Sequence, residues 1–302
     1  MANLRRGHAA SRGTGGHMIR LLLMAIFIVA GLFYVRQLYH TFSQPQKVNN
    51  VKERSDQTLV GQQTSDVLHT HKGEIIQHRF YSLSYREEYE QAEWVSYEIS
   101  KASLQKPNVK RTDWFEVDKA VSTGSAKHSD YSGSGFTRGH LVPAGDMAFD
   151  KTAMEETFFM SNMSPQIRPF NNGIWRELEE QVRDWVYQND KIKIVSGPII
   201  NQDPRRLKKG NIAVPDAFYK VIIDEQLPGQ KGIAFLIPHK KSDLPLQNYI
   251  ISIDSLEEIS GIDFFVNQNA EWQKTMEQKS DVSLWPISEA RYKLRVSRWN
   301  NE

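Results

Sequence analysis

The chain has 302 residues, 38 of them basic and 36 acidic, with 39% hydrophobic and 25% charged residues and no cysteine. This composition excludes collagen-like, coiled-coil and wholly disordered chains, and the missing cysteine excludes disulfides, thiolate metal sites and cysteine nucleophiles. Seven basic residues precede the first acidic one, Glu53, which leaves 31 basic against 36 acidic residues in the remainder. A body of that charge is no general sponge for polyanions.

Residues 1–20 form a basic segment carrying Arg5, Arg6, Arg12 and Arg20. Residues 21–35, LLLMAIFIVAGLFYV, are uncharged and mostly apolar. As a helix they span about 22 Å, and Arg20 and Arg36 can snorkel to extend that reach across a hydrocarbon core of roughly 30 Å. The following RQLYHTFSQ offers no convincing small-residue cleavage site, so an uncleaved signal-anchor is preferred to a secreted form released by cleavage. The preceding arginines predict a cytoplasmic N-terminus and an exported, periplasmic or otherwise extracytoplasmic body.

Residues 36–74, rich in Gln, Ser, Asn, Thr and Lys, read as a solvated stalk. A domain is expected over 75–270, with a C-terminal extension over 271–302. Strands are expected in HRFYSLSYR (78–86), EWVSYEIS (93–100), KIKIVSGPII (191–200), AFYKVIID (217–224) and GIAFLIP (232–238). In the second of these, Val95, Tyr97 and Ile99 alternate with Trp94, Ser96 and Glu98. IWRELEEQVRDWVYQ (174–188) sets Trp175, Leu178, Val182, Trp185 and Val186 on one helical stripe. SIDSLEEISGI (252–262) is a second helix, capped by Ser252 or Asp254. Strands outnumber helices and lack helical crossovers between neighbours, so the fold class is α+β with a largely antiparallel central sheet. LWPISEARYKLRVSRW (284–299) mixes aromatics with arginines and has two readings: a stacking and phosphate-binding surface, or a terminal strand or tail packed on the body, the second preferred.

Two stretches carry chemistry. In GFTRGHLVPAGDM (135–147), His140 follows Arg138 and Gly139 at an expected strand end. An imidazole beside a guanidinium suits a general base next to a phosphate clamp; the alternative is a structural histidine in a turn. SNMSPQIRPFNNGIWRELEE (161–180) follows. Asn171 and Glu179 fall within about 80° of each other around a helix axis, so both can face one site. A neutral amide oxygen with few carboxylates suits a hydrated Mg²⁺; the alternative is that Asn171 or Asn172 caps the helix and Glu179 lies on the surface.

Together these stretches resemble the DNA/RNA non-specific endonucleases, whose active site is a ββα-metal (His-Me finger) motif. Arg138-Gly139-His140 matches the Asp-Arg-Gly-His core of that family, Ser161 to Gln166 its Ser-Asn-(Ile/Met)-(Ser/Thr)-Pro-Gln strand end, and Asn171-Asn172-Gly173-Ile174-Trp175 through Glu179 its metal-binding helix. WVSYEI, VSGPI, VPDAFYKVI, AFLIP and SIDSLEEISGIDFF follow its framework in order, over roughly residues 78–268.

The resemblance implies that His140 is the general base and Asn171 the direct ligand of Mg²⁺, or of Mn²⁺ in its place. It implies that Glu179 acts on the metal through water and that Arg138 binds phosphate. Arg111 is implied as a second phosphate arginine, on a looser local match. Asn162 is counted as a supporting and substrate-binding residue. Thr137 stands where the family has Asp, which removes a negative charge beside the motif. The expected activity is hydrolysis of DNA and RNA phosphodiesters, with water attacking in line to leave 5′-phosphate ends. The alternatives are a narrower phosphodiesterase or a catalytically weak nucleic-acid-binding protein.

Overall fold

The computed structural model describes residues 69–226, 229–277 and 281–302, so the expected basic segment, anchor and most of the stalk lie outside the described residues. Seven antiparallel strands form one sheet in the order β1 (Glu74–Gln77), β2 (Tyr81–Arg86), β3 (Gln91–Ser100), β6 (Lys191–Ile199), β7 (Ala217–Asp224), β8 (Lys231–Pro238) and β9 (Ile250–Ile251). A separate two-stranded ribbon pairs β4 (Thr137–His140) with β5 (Met163–Gln166). The helices are α1 (Lys101–Leu104), α2 (Lys151–Glu156), α3 (Arg176–Asn189), α4 (Ile253–Ser260), α5 (Ala270–Glu277) and α6 (Glu289–Ser297). Among the described residues no helix is long and apolar enough to cross a membrane.

Strand alternation divides the core between the two sheet faces. On one face Val95, Tyr97, Phe218, Ile222, Phe235 and Ile237 meet the α3 stripe of Leu178, Val182, Trp185 and Val186, all buried. On the other, Trp94, Tyr219, Val221 and Ile223 meet Ile253 and Leu256 of α4 and Met276 of α5. Ser252 caps α4 by accepting from Ser255 N, so of the two residues expected to cap it, Asp254 is excluded.

One boundary and the form of one element differ from the sequence reading. Residues 69–74, assigned to the stalk, pack on the body. His69 is buried between the Phe264 carbonyl (2.6 Å) and Ser96 Oγ (3.0 Å), Thr70 N bonds Asp263 O, and β1 begins at Glu74. Residues 284–299 pack on the body, as preferred over a free basic surface, but as a helix and not as a strand. They contain α6, flanked by buried Trp285 and Trp299. The charges of α6 meet carboxylates: Arg291 bonds Glu180 and both oxygens of Asp184, and fully buried Arg295 pairs with fully buried Glu177.

Candidate active site

The ribbon sets the positions of the motif. Thr137 faces Gln166 and His140 faces Met163 across β4 and β5. A Cβ on Gly139 would lie 2.1 Å from the Gln166 side chain, so the ribbon closes over Gln166 only because that position is glycine. After Gln166 the chain enters a wide helical turn, Phe170–Trp175, that runs into α3. At Gly173 the backbone leaves helical geometry (φ −95°, ψ −111°), and Asn300 of the C-terminus packs where a Cβ would sit. Trp175 Nε1 then donates to the His140 carbonyl oxygen at 3.4 Å, which ties the helix entrance to the histidine.

His140 sits among aromatic rings. Phe158 meets its imidazole edge-on at 4.9 Å, Phe115 lies at 6.1 Å, and the two phenylalanines contact each other at 5.2 Å. Each ring also carries an arginine. The Arg138 guanidinium lies 5.1 Å from the centre of Phe115, and that of Arg111 lies 5.0 Å from the centre of Phe158. Burial, reinforced by the charge of Arg111, lowers the His140 pKa to about 3, so the imidazole is neutral at pH 7. Arg111 also bonds exposed Asp113 at 2.6 Å. Arg138 reaches His128 Nε2 (3.1 Å) and the His128 carbonyl (3.4 Å), and among the described residues it pairs with no carboxylate.

Asn171 is held at the other end of β4. Its Nδ2 donates to Thr137 Oγ1 at 2.9 Å, and that hydroxyl donates to the Gln166 carbonyl at 2.8 Å. The threonine proton is thereby committed, so the hydroxyl accepts from Asn171 and fixes which way the amide points. Oδ1 is left as the atom available to a cation. Asn171 is not a helix cap, because no side chain caps α3 and the turn before it. Glu179, half-buried one turn into α3, has its carboxyl pKa raised by burial, against the pull of Lys220, Arg183 and Arg111. Arg111 thus acts electrostatically on both His140 and Glu179 and joins the two ends of the cleft. Behind Glu179, Asp146 accepts from Arg183 (2.7 Å) and Tyr97 (2.8 Å).

One expected role is corrected. Asn162 is fully buried and its amide is spent inside the protein. Oδ1 accepts from Val142 N (2.9 Å), while Nδ2 donates to the Val142 (3.1 Å) and Thr157 (2.8 Å) carbonyls. It pins the loop after His140 and is not available to a substrate. Sequence reasoning missed Phe115, Phe158 and Lys220. The phenylalanines look like ordinary core positions. Lys220 is the fourth residue of a strand otherwise apolar up to its last position, and the only hint was that break in pattern. Its ammonium is enclosed with no hydrogen-bond partner, 4.8 Å from the centre of the Trp175 ring, and burial lowers its pKa.

The donor set fits a hydrated divalent cation: one oriented neutral amide oxygen and one half-buried carboxylate, with Asp146 already engaged by Arg183 and Tyr97. Comparisons with known proteins place the chain among nucleases. A family model described as DNA/RNA non-specific endonuclease matches residues 61–271. A nuclease of Nostoc sp. is 33% identical over 216 residues, 67% of this chain and 76% of that protein. The mouse mitochondrial nuclease EXOG is 33% identical over 202 residues, 61% of this chain, which spans only 55% of its length. A crystal structure of an EndoG/EndoGI complex, titled for the mechanism of EndoG inhibition, aligns with TM-score 0.60 and 27% identity over 66% of this chain and 88% of that one.

Proposed function

The chain belongs to the DNA/RNA non-specific endonuclease family, and from that premise we propose that it hydrolyses DNA and RNA at the cleft between His140 and Asn171, with Mg²⁺ as its metal and Mn²⁺ as a substitute. One observation carries the reading: two touching phenylalanine rings each hold an arginine beside the same neutral imidazole.

His140 accepts a proton from the attacking water, and its depressed pKa keeps it unprotonated for that step. Arg138, free of any carboxylate, binds the non-bridging oxygens of the phosphate, and Arg111 adds positive charge from the other ring. Asn171 Oδ1 is the protein's direct metal ligand, and the Glu179 carboxylate serves the ion's hydration shell. A bound Mg²⁺ supplies neutralisation of the charge that develops on the phosphate and on the leaving oxygen. In-line attack of this kind leaves 5′-phosphate and 3′-hydroxyl ends. Because the contacts are to phosphate, sequence preference is weak. The anchor over residues 21–35 and export of the body are part of the same proposal, on the evidence of the apolar run and the arginines before it.

The test is incubation of the purified protein with plasmid and with RNA, each with and without EDTA. Cleavage of both that stops with EDTA is expected. His140→Ala is expected to lower turnover by a factor on the order of 10²–10⁴ while binding persists. Near-normal turnover in that variant removes His140 from the mechanism, and binding without cleavage in the wild type makes the chain a binding protein.

A further inference from the structure

On the sheet face opposite α3, three carboxylates converge. Asp254 and Glu257 lie one turn apart on α4, and Glu277 ends α5. One oxygen from each lies within 4.8 Å of the other two. Oxygens that close can meet one calcium-sized ion, with bonds of roughly 2.4 Å, after a small inward turn of the side chains.

The packing brings them together. Met276 and Ile253 both lie over Gly232 of β8, where a Cβ would meet them at 3.6 and 3.1 Å, and this sets the end of α5 beside the first turn of α4. Trp272 contacts Phe265 edge-on, and Gln273 bonds the Phe265 carbonyl at 2.9 Å. Glu257 already accepts from Phe264 N at 2.8 Å.

Glu277 is the telling residue. It is only 7% exposed, and its Oε1 is enclosed without any hydrogen-bond partner. An enclosed carboxylate oxygen without a donor is costly unless a cation or proton meets it. The charges acting on it are negative: Glu257, Asp254 and Asp263.

We propose that Asp254, Glu257 and Glu277 bind one divalent cation of calcium's class, at a site separate from the nuclease cleft, and that this ion clamps α5 to α4. Three hard carboxylate donors, which give up their protons to a bound ion, suit calcium more than magnesium, which holds on to its waters. The role is structural, since the sheet separates the trio from His140.

The test uses the full chain in mild detergent, stripped of metal and titrated with calcium chloride alone, without nucleic acid or magnesium. Calorimetry reads binding and thermal unfolding reads Tm. At about 100 times Kd, a rise in Tm of about 5 °C is expected. Asn171→Ala should keep that rise, since it removes a ligand only from the nuclease cleft. Glu277→Gln and Asp254→Asn should each lose it while still cutting plasmid with magnesium. Two variants are used so that one that fails to fold leaves the other to decide. A wild type that gives no heat and no shift at millimolar calcium overturns the proposal, as does a shift that survives in a folded Glu277→Gln or Asp254→Asn variant.

Discussion

The bond from Asn171 to Thr137 makes a threonine hydroxyl the part that orients the proposed metal ligand, at the position where the family motif has Asp. A hydroxyl with its proton committed to the Gln166 carbonyl can only accept from Asn171, so it does the aiming without the charge. Thr137→Val keeps the volume and removes both bonds. It should weaken Mg²⁺ or Mn²⁺ binding about 10–100-fold, the usual cost of losing an orienting partner, and calorimetry with Mn²⁺ reads this without turnover. Asn171→Ala should weaken it further, and Asn172→Ala should leave it nearly unchanged. Sensitivity at Asn172 in place of Asn171 would shift the ligand assignment by one residue. A second residue-scale expectation concerns pH. His69 Nδ1–H donates to the Phe264 carbonyl, so Nε2 accepts from Ser96, and burial lowers its pKa to about 4. The unfolded histidine takes up a proton below about pH 6.5 and the folded one does not, so stability is lost as pH falls from 6.5 towards 4, by roughly 3 kcal/mol in all. Buried carboxyls with raised pKa values act in the opposite direction, so the readout is the difference between wild type and His69→Gln. That gap should shrink by most of this amount between pH 7.5 and 4.5 in urea unfolding. A constant gap would show that His69 is not held neutral.

At the scale of elements, α3 links the Phe170–Trp175 turn, which carries Asn171, to the C-terminus. Glu177, two residues before Glu179, is fully buried against Arg295 of α6, and Arg295 also donates to the Ser242 and Leu244 carbonyls. Glu177 Oε1 has no partner of its own, so the pair has no spare bonds if one member is lost. Arg295→Met leaves a buried carboxylate unpaired and should cost about 3–5 kcal/mol in urea unfolding. Adding Glu177→Leu should recover part of that loss but not all, because the two carbonyls stay without a donor. Full recovery would mean that those carbonyl bonds contribute little. This C-terminal helix was the element least legible in the sequence. Its only buried side chain is Arg295, and the apolar anchors, Trp285 and Trp299, lie outside it, so no helical stripe of apolar residues exists to be read. The α3 stripe and the strands β6 to β8 were legible because two-residue and 3.6-residue periods survive wherever a face packs on a sheet. In the cleft, His140, Asn171 and Glu179 were legible from spacing and resemblance. Phe115 and Phe158 were not, since a ring that positions a guanidinium has the same signature as a ring that fills a core. Arg111 stands far from the motif in sequence and meets it in space beside Phe158.

The whole molecule separates charge and function along its length. Several arginines of the described body, Arg86, Arg176, Arg183 and Arg291 among them, are held in ion pairs with carboxylates. If the proposed activity is right, an enzyme with little reading of sequence needs to be kept from the cell's own nucleic acids by location. The proposed anchor supplies that separation. Four arginines precede the apolar run and only Arg36 follows it closely, which orients the N-terminus to the cytoplasm. Between the apolar run and His69 lie some thirty residues of mostly polar chain. Glu302 is exposed at the end of the chain, so a reporter can be fused there without disturbing the core. A reporter that fluoresces only in the cytoplasm should stay dark in that fusion. Protease added on the outer side of the membrane should cut within the stalk and release a soluble body that still degrades plasmid. Bright fluorescence together with protection from protease would overturn both the anchor and the export.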